Sequence, residues 1–178
     1  MENIEILKFP IGRYTIPDTV SDEKKISCID SIERLPDRLV HAMSGLSTEQ
    51  VDTPYRPDGW TVRQLVHHIA DSHINAFTRF KLGMTEDSPH IRPYDQEAWC
   101  SMSDAETLEP SVSMQILEGI HHRWTHVLRS MTADDYLRVV YHPEMKREIS
   151  LAQLLTQYGW HSDHHLAHIT TLRQRSKW

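Results

Sequence analysis

The chain has 178 residues, with 25 Asp and Glu against 19 Lys and Arg, for a formal charge of −6 and a pI near 6.1. That length supports one well-buried core and is short for two ordinary domains. Without a long Lys/Arg stripe, the electrostatic footprint of a nucleic-acid-binding protein is missing, so we read residues 1–178 as a single domain with no nucleic-acid partner. The two cysteines, Cys28 and Cys100, lie far apart and outside any C-x-x-C arrangement, which excludes a disulfide framework and a thiolate zinc site and fits a reducing, cytoplasmic setting.

The N-terminus lacks a basic stretch followed by an apolar one, and no run of about 18 apolar residues occurs, so we expect neither secretion nor a membrane partner. Pro10, Gly12 and Pro17 break any helical period in residues 1–20, which reads as an extended arm of the kind that packs against a partner subunit. Ser21 opens a helix whose apolar stripe, Ile26, Ile29, Ile32, Leu35, Leu39, Ala42 and Met43, runs to about Gly45, with Pro36 expected to kink or split it. A polar turn region, 47–59, leads to Trp60. Thr61 then caps a helix reaching about Met84, with Val62, Leu65, Val66, Ile69, Ala70, Phe77 and Phe80 on one side.

From Thr85 to Pro110 three prolines among polar residues predict a long irregular crossover. A third helix follows over 111–130, then a helical turn over 132–137. Arg138–Tyr141, a His142-Pro143 turn and Arg147–Ile149 predict a short hairpin, and the last helix runs from Ser150 to about Arg173. Four long helical patterns with at most one hairpin make an all-α four-helix bundle, and the long crossover argues against simple up-down-up-down connectivity.

The last helix carries His161, His164, His165 and His168. His161/His165 and His164/His168 are each spaced i, i+4, so either pair shares a helix face and supplies two imidazoles to one cation. Stepping 100° per residue places His165 within the stripe of Leu151, Leu154, Leu155, Tyr158, Ile169 and Leu172, and His161 at its edge. His164 points away and His168 farther out. The pair His161/His165 is therefore the one to hold a metal. A third ligand has to come from another helix, and His67, His68 and His73 are not separated by periodicity. His121, His122 and His126 are further candidates, with Asp71 or Asp163 as groups that orient a ligand.

Other chemistries lack their residues. No H-E-x-x-H, G-x-S-x-G or phosphate-cradling glycine loop occurs. The five tryptophans read as core or interface anchors, and Cys100 has no flanking base.

The run Tyr55-Arg56-Pro57-Asp58-Gly59-Trp60-Thr61-Val62-Arg63-Gln64-Leu65-Val66-His67-His68-Ile69-Ala70-Asp71-Ser72-His73 resembles the DinB-like superfamily. So do Arg79–Leu82, Ile91–Asp95, Tyr141-His142-Pro143, Trp160–Ile169 and Trp178. The likeness is nearest to the YfiT branch of metal-dependent hydrolases. That resemblance implies a cytoplasmic homodimeric four-helix bundle with one divalent metal per subunit, zinc first and nickel second, held by three histidines. The first is the histidine eight residues after the helix-opening tryptophan, His68. The others are the H-x-x-x-H pair, His161 and His165.

Three functions follow as expectations. A hydrolase acting on a small-molecule substrate would use the metal to activate water, with Asp71 or Asp95 as candidate base. A transferase acting with a low-molecular-weight thiol would need no protein base, because a coordinated thiol is already deprotonated. A non-catalytic metal-binding dimeric module would normally need four closed ligands, where only three are named.

Overall fold

A computed structural model describes residues 3–178. Its elements in chain order are α1 (Ile4–Lys8), α2 (Asp22–Met43), α3 (Thr48–Val51), α4 (Val62–Thr85), α5 (Gln96–Cys100) and α6 (Ser103–Thr107). They continue as α7 (Pro110–Ser130), α8 (Ala133–Leu137), β1 (Val139–His142), β2 (Arg147–Ser150) and α9 (Leu151–Ser176). No helix among the described residues is long and apolar enough to cross a membrane.

Each long helix starts where its local chemistry dictates. Ser21 accepts from the Lys24 N–H. Thr61 and Ser150 each form a reciprocal capping box, with Gln64 and Gln153 respectively. Such caps contribute about 1 kcal/mol apiece by satisfying amide donors that the first turn leaves free. Gly45, at φ 77°, takes the left-handed position just past α2. Pro36 does not split α2, which continues through it. Its missing N–H instead leaves the Ile32 carbonyl, four residues back, without its helical donor.

The bundle is not laid down in sequence order. α2 packs on α9 and α7, and α4 on α7 and α9. The consecutive long helices α2 and α4 are therefore diagonal, as the long connections require. β1 and β2 form the antiparallel hairpin in the register Val139↔Ser150 to His142↔Arg147. Arg138 pins it to the end of α4 by donating to the Gly83 and Glu86 carbonyls at 2.6 and 2.9 Å.

Two expectations of irregular chain are corrected. The crossover holds α5, capped by Asp95, and α6. The N-terminal arm contains α1 and, over its described part, docks on its own α9; Met1 and Glu2 lie outside the described residues. Tyr14 Oη bonds Thr156 Oγ1 at 2.8 Å, and Gln153 Nε2 donates to the Pro17 carbonyl at 2.9 Å.

The core is in two parts. One gathers Ile29, Ile32, Phe80, Trp124, Leu155 and Tyr158 at one end of the bundle. The other gathers Leu35, Leu39, Leu65, Ile69, Leu117 and Ile169 at the opposite end. Along α2, α4 and α9 the boundary between them falls at one level, and Ser72, His73, His161 and His165 lie there. Helix spacing at this level is fixed by Gly159, where a Cβ would stand 2.7 Å from Cys28 Cβ and 2.8 Å from its Sγ.

Candidate metal centre

Because α4 is capped at Thr61, its second turn carries His67 and His68, the latter beneath Trp60, and the turn beyond brings Ser72 and His73 to the boundary level. The four histidine candidates on α4 and α7 nearest the core part company there. His67 is consumed: Nδ1 bonds Ser113 Oγ at 2.7 Å and Nε2 donates to the Leu108 carbonyl at 3.1 Å. His73 is consumed too, by His121 at 2.7 Å and His161 at 3.1 Å. His121 spends its remaining nitrogen on the Ile32 carbonyl, while His122 and His126 are exposed.

His68 is different. It lies under the Trp60 ring at 4.6 Å and faces α9, its ring centre 5.4 Å from His161 and 4.9 Å from His165. One ligating nitrogen from each of His68, His161 and His165 falls within 4.8 Å of the other two. The structure thus brings together the three residues that the resemblance implied. Burial pushes the His68 pKa down to about 4, with neighbouring His164 adding to it, and burial holds His161 and His165 well below the ordinary histidine value. All three are neutral near pH 7 and offer lone pairs.

A second group, His164, His165 and His168, shares His165 with the first and meets the same distance limit. The helical-wheel expectation that His164 and His168 face outward is overturned, since both are buried. The arm and the loop before α4 cover that side of α9. His164 stacks on Trp160 at 4.2 Å with Phe9 at 6.0 Å, and His168 stacks on Tyr55 at 4.1 Å and donates Nε2–H to the Lys8 carbonyl at 3.2 Å. The Nδ1 atoms of His164, His165 and His168 are buried without a hydrogen-bond partner among the described residues.

A cavity of about 190 Å³ opens beside the first group, lined among others by His68, Ser72, Arg79, Tyr94, Glu144 and His161. Arg79 donates to Tyr158 Oη at 2.6 Å and to the Arg92 carbonyl at 2.9 Å, which ties the crossover to the bundle. His142 and Glu144 arrive on the hairpin and its turn. Arg79 and Glu144 were not among the residues singled out from sequence, although Arg79 and His142 fall within segments that carry the family resemblance.

The carboxylates proposed from sequence lie elsewhere. Asp163 pairs with Arg38 at 2.6 Å and accepts from Ser31, so it faces α2. Asp95 caps α5 through the Ala98 N–H. Asp71 is half-buried with its pKa raised to about 6 by burial and then by Asp104, and it does not line the cavity. Both cysteines are free and buried, and burial pushes the Cys100 thiol up to about 12, which removes it as a nucleophile.

Comparison with known proteins shows the family. Residues 31–169 match the DinB superfamily. The chain is 47% identical over 172 residues to "Putative metal-dependent hydrolase YfiT" of Bacillus subtilis (strain 168), covering 97% of both. It is 44% identical to "Putative metal-dependent hydrolase" of Bacillus pumilus (strain SAFR-032), covering 97% of this chain and 98% of that one. The solved structure of YfiT from Bacillus subtilis superposes with a TM-score of 0.94 at 47% identity, over 97% of this chain and 99% of that one. It is described as "a probable metal-dependent hydrolase with an unusual four-helix bundle topology".

Proposed function

The chain belongs to the DinB superfamily, and from that premise we propose that it is a metal-dependent hydrolase in which His68, His161 and His165 hold one divalent cation. The observation that carries the reading is the convergence of three neutral imidazoles from two helices within 4.8 Å, beside a cavity. Imidazole suits zinc and nickel alike, and zinc is our first choice. Three protein donors are the number that catalytic zinc sites keep, one fewer than closed structural sites use. When bound, such a cation supplies Lewis-acid polarisation and acidifies water.

The protein's own side chains supply the rest. Arg79 places a guanidinium in the cavity, held by Tyr158 and the Arg92 carbonyl, with a buried Nε that has no partner among the described residues. That charge favours a substrate that carries or develops negative charge on oxygen. Glu144 is the carboxylate lining the cavity and stands at its exposed rim, so the proton-accepting role suggested for Asp71 or Asp95 passes to it. The family resemblance supports a homodimer, and the two free cysteines support a reducing, cytoplasmic setting.

The test is metal content per subunit together with turnover of ester, amide and phosphoester panels by zinc-loaded protein. Near-stoichiometric metal with hydrolysis that fails in Glu144→Gln supports the proposal; protein that takes up no metal sinks it.

The thiol-transferase reading gains from one observation. The cavity offers a cation at Arg79 and only a rim carboxylate, a setting suited to a carboxylate-bearing thiol that needs no protein base. Product formation that requires added thiol would replace hydrolysis with this reading. Metal binding without either turnover would leave the binding module.

A further inference from the structure

His161 ends a line of hydrogen bonds that crosses the bundle. Its Nδ1 lies 3.1 Å from His73 Nε2, His73 Nδ1 lies 2.7 Å from His121 Nε2, and His121 Nδ1 lies 2.5 Å from the Ile32 carbonyl. A carbonyl oxygen only accepts. His121 Nδ1 therefore carries the proton, and in a neutral ring His121 Nε2 carries a lone pair. His73 Nδ1 must donate to it, which leaves His73 Nε2 to accept from His161 Nδ1–H. The lone pair of His161 is then on Nε2, the nitrogen that faces Ser72 Oγ at 3.3 Å.

The Ile32 carbonyl can play this part because of Pro36. In an uninterrupted helix that oxygen would accept from the N–H of residue 36, which proline lacks. His121 fills the place, and the direction of the whole line is set by a missing proton on α2. Reversing it would require a second proton on His73, an imidazolium at 0% exposure against the Trp124 and Tyr158 rings, with no anionic partner among the described residues. That is a costly species in an apolar surround.

We propose that Pro36, the Ile32 carbonyl, His121 and His73 form a positioning relay that locks His161 as the Nδ1–H tautomer and so presents its Nε2 to the metal. The relay's existence is independent of the metal; its purpose rests on the function proposed above. Neither His121 nor His73 touches the reacting atoms. Partners of this kind, one step removed from a ligand, typically alter metal affinity about 10- to 100-fold when lost.

Long-range proton–nitrogen correlation spectra of metal-free protein with ¹⁵N-labelled histidine read the tautomer directly, and chelator competition with zinc reads the affinity. Wild type should give a protonated Nδ1 and an unprotonated Nε2 at His161. A protonated Nε2 overturns the proposal without any variant being made. His121→Phe should mix or reverse the tautomer and weaken zinc binding about 10- to 100-fold. His121→Gln should restore both, since its amide can donate to Ile32 and its oxygen accept from His73.

Pro36→Ala returns a competing N–H to the Ile32 carbonyl without opening a cavity, and should weaken zinc binding while α2 becomes no less stable. His168, anchored separately by the Lys8 carbonyl, should keep its own tautomer throughout and serves as the folding control. Unchanged tautomer and affinity in Pro36→Ala and in any folded His121→Phe would overturn the relay. Wild-type protein that binds no zinc yet gives the Nδ1–H tautomer would defeat the metal reading and leave the relay standing. Zinc binding with the opposite tautomer would do the reverse.

Discussion

α9 carries two histidine pairs of identical i, i+4 spacing in opposite surroundings. His161 and His165 look across to α4, where His68 supplies a third imidazole and a cavity opens. His164 and His168 look toward the N-terminal arm and the loop before α4, where the rings of Trp160, Phe9 and Tyr55 close over them and the Lys8 carbonyl takes one proton. At the first pair, His161 has a hydrogen-bonding neighbour at both nitrogens, whereas the Nδ1 of His165, like those of His164 and His168, has none among the described residues. Spacing supplies the pair; what faces it decides whether the pair meets a ligand through an opening or is sealed beneath aromatic rings.

The sharpest way to break this contrast is by metal content. His68→Ala, His161→Ala and His165→Ala should each lose all but a small fraction of stoichiometric metal by plasma mass spectrometry, and His164→Ala and His168→Ala should retain it. Metal that followed His164 and His168 would invert the comparison.

Acid comes next in size. His121 has its pKa pushed down to about 4 by burial, against about 6.5 in an unfolded chain. Its contribution is complete above about pH 6.5, where both states are neutral. It is lost as pH falls toward 4, because only the unfolded chain takes up the proton there. Metal-free wild type should therefore lose about 1.4 kcal/mol more per pH unit in that window than His121→Gln does, for roughly 3 kcal/mol in all. Equal slopes in denaturation at pH 7, 6 and 5 would refute this.

On the sealed side the effects are on stability alone. His168→Ala, which gives up the Tyr55 stack and the Lys8 bond, should cost about 1–2 kcal/mol at pH 8 by chemical denaturation, with zinc affinity within about twofold of wild type. Thr61→Ala is the mildest, costing about 1 kcal/mol through its capping box. Because His68 lies two turns inside α4, metal content should hold.

The contrast also marks how far the sequence carries. The four long helices were legible because periodicity and polar caps agree: Ser21, Thr61 and Ser150 stand where their helices begin. His161 and His165 emerged from the apolar stripe of α9 alone. His68 did not, because His67, His68 and His73 differ only in what they meet across the bundle, and the two that are satisfied are satisfied by Ser113, Leu108, His121 and His161. His164 and His168 were misplaced for a physical reason. A helical wheel finds one dominant stripe, whereas α9 is covered on several sides, partly by rings and backbone rather than aliphatic side chains. Pro36 read as a kink or a split, and the carbonyl it frees became visible only with His121 against it.

Gly159 has a consequence for how the protein can vary. Alanine is the better helix former by about 1 kcal/mol, yet its methyl would enter the space of Cys28 Cβ and Sγ. Local preference and global fit are thus opposed at this position. In a saturation scan scored by turnover, Gly159 would be as intolerant as a ligand although it touches none of the chemistry, since forcing α2 from α9 moves Ile32 and His161 apart together. Residues 28 and 159 form one unit of inheritance, and drift at either is conditional on the other.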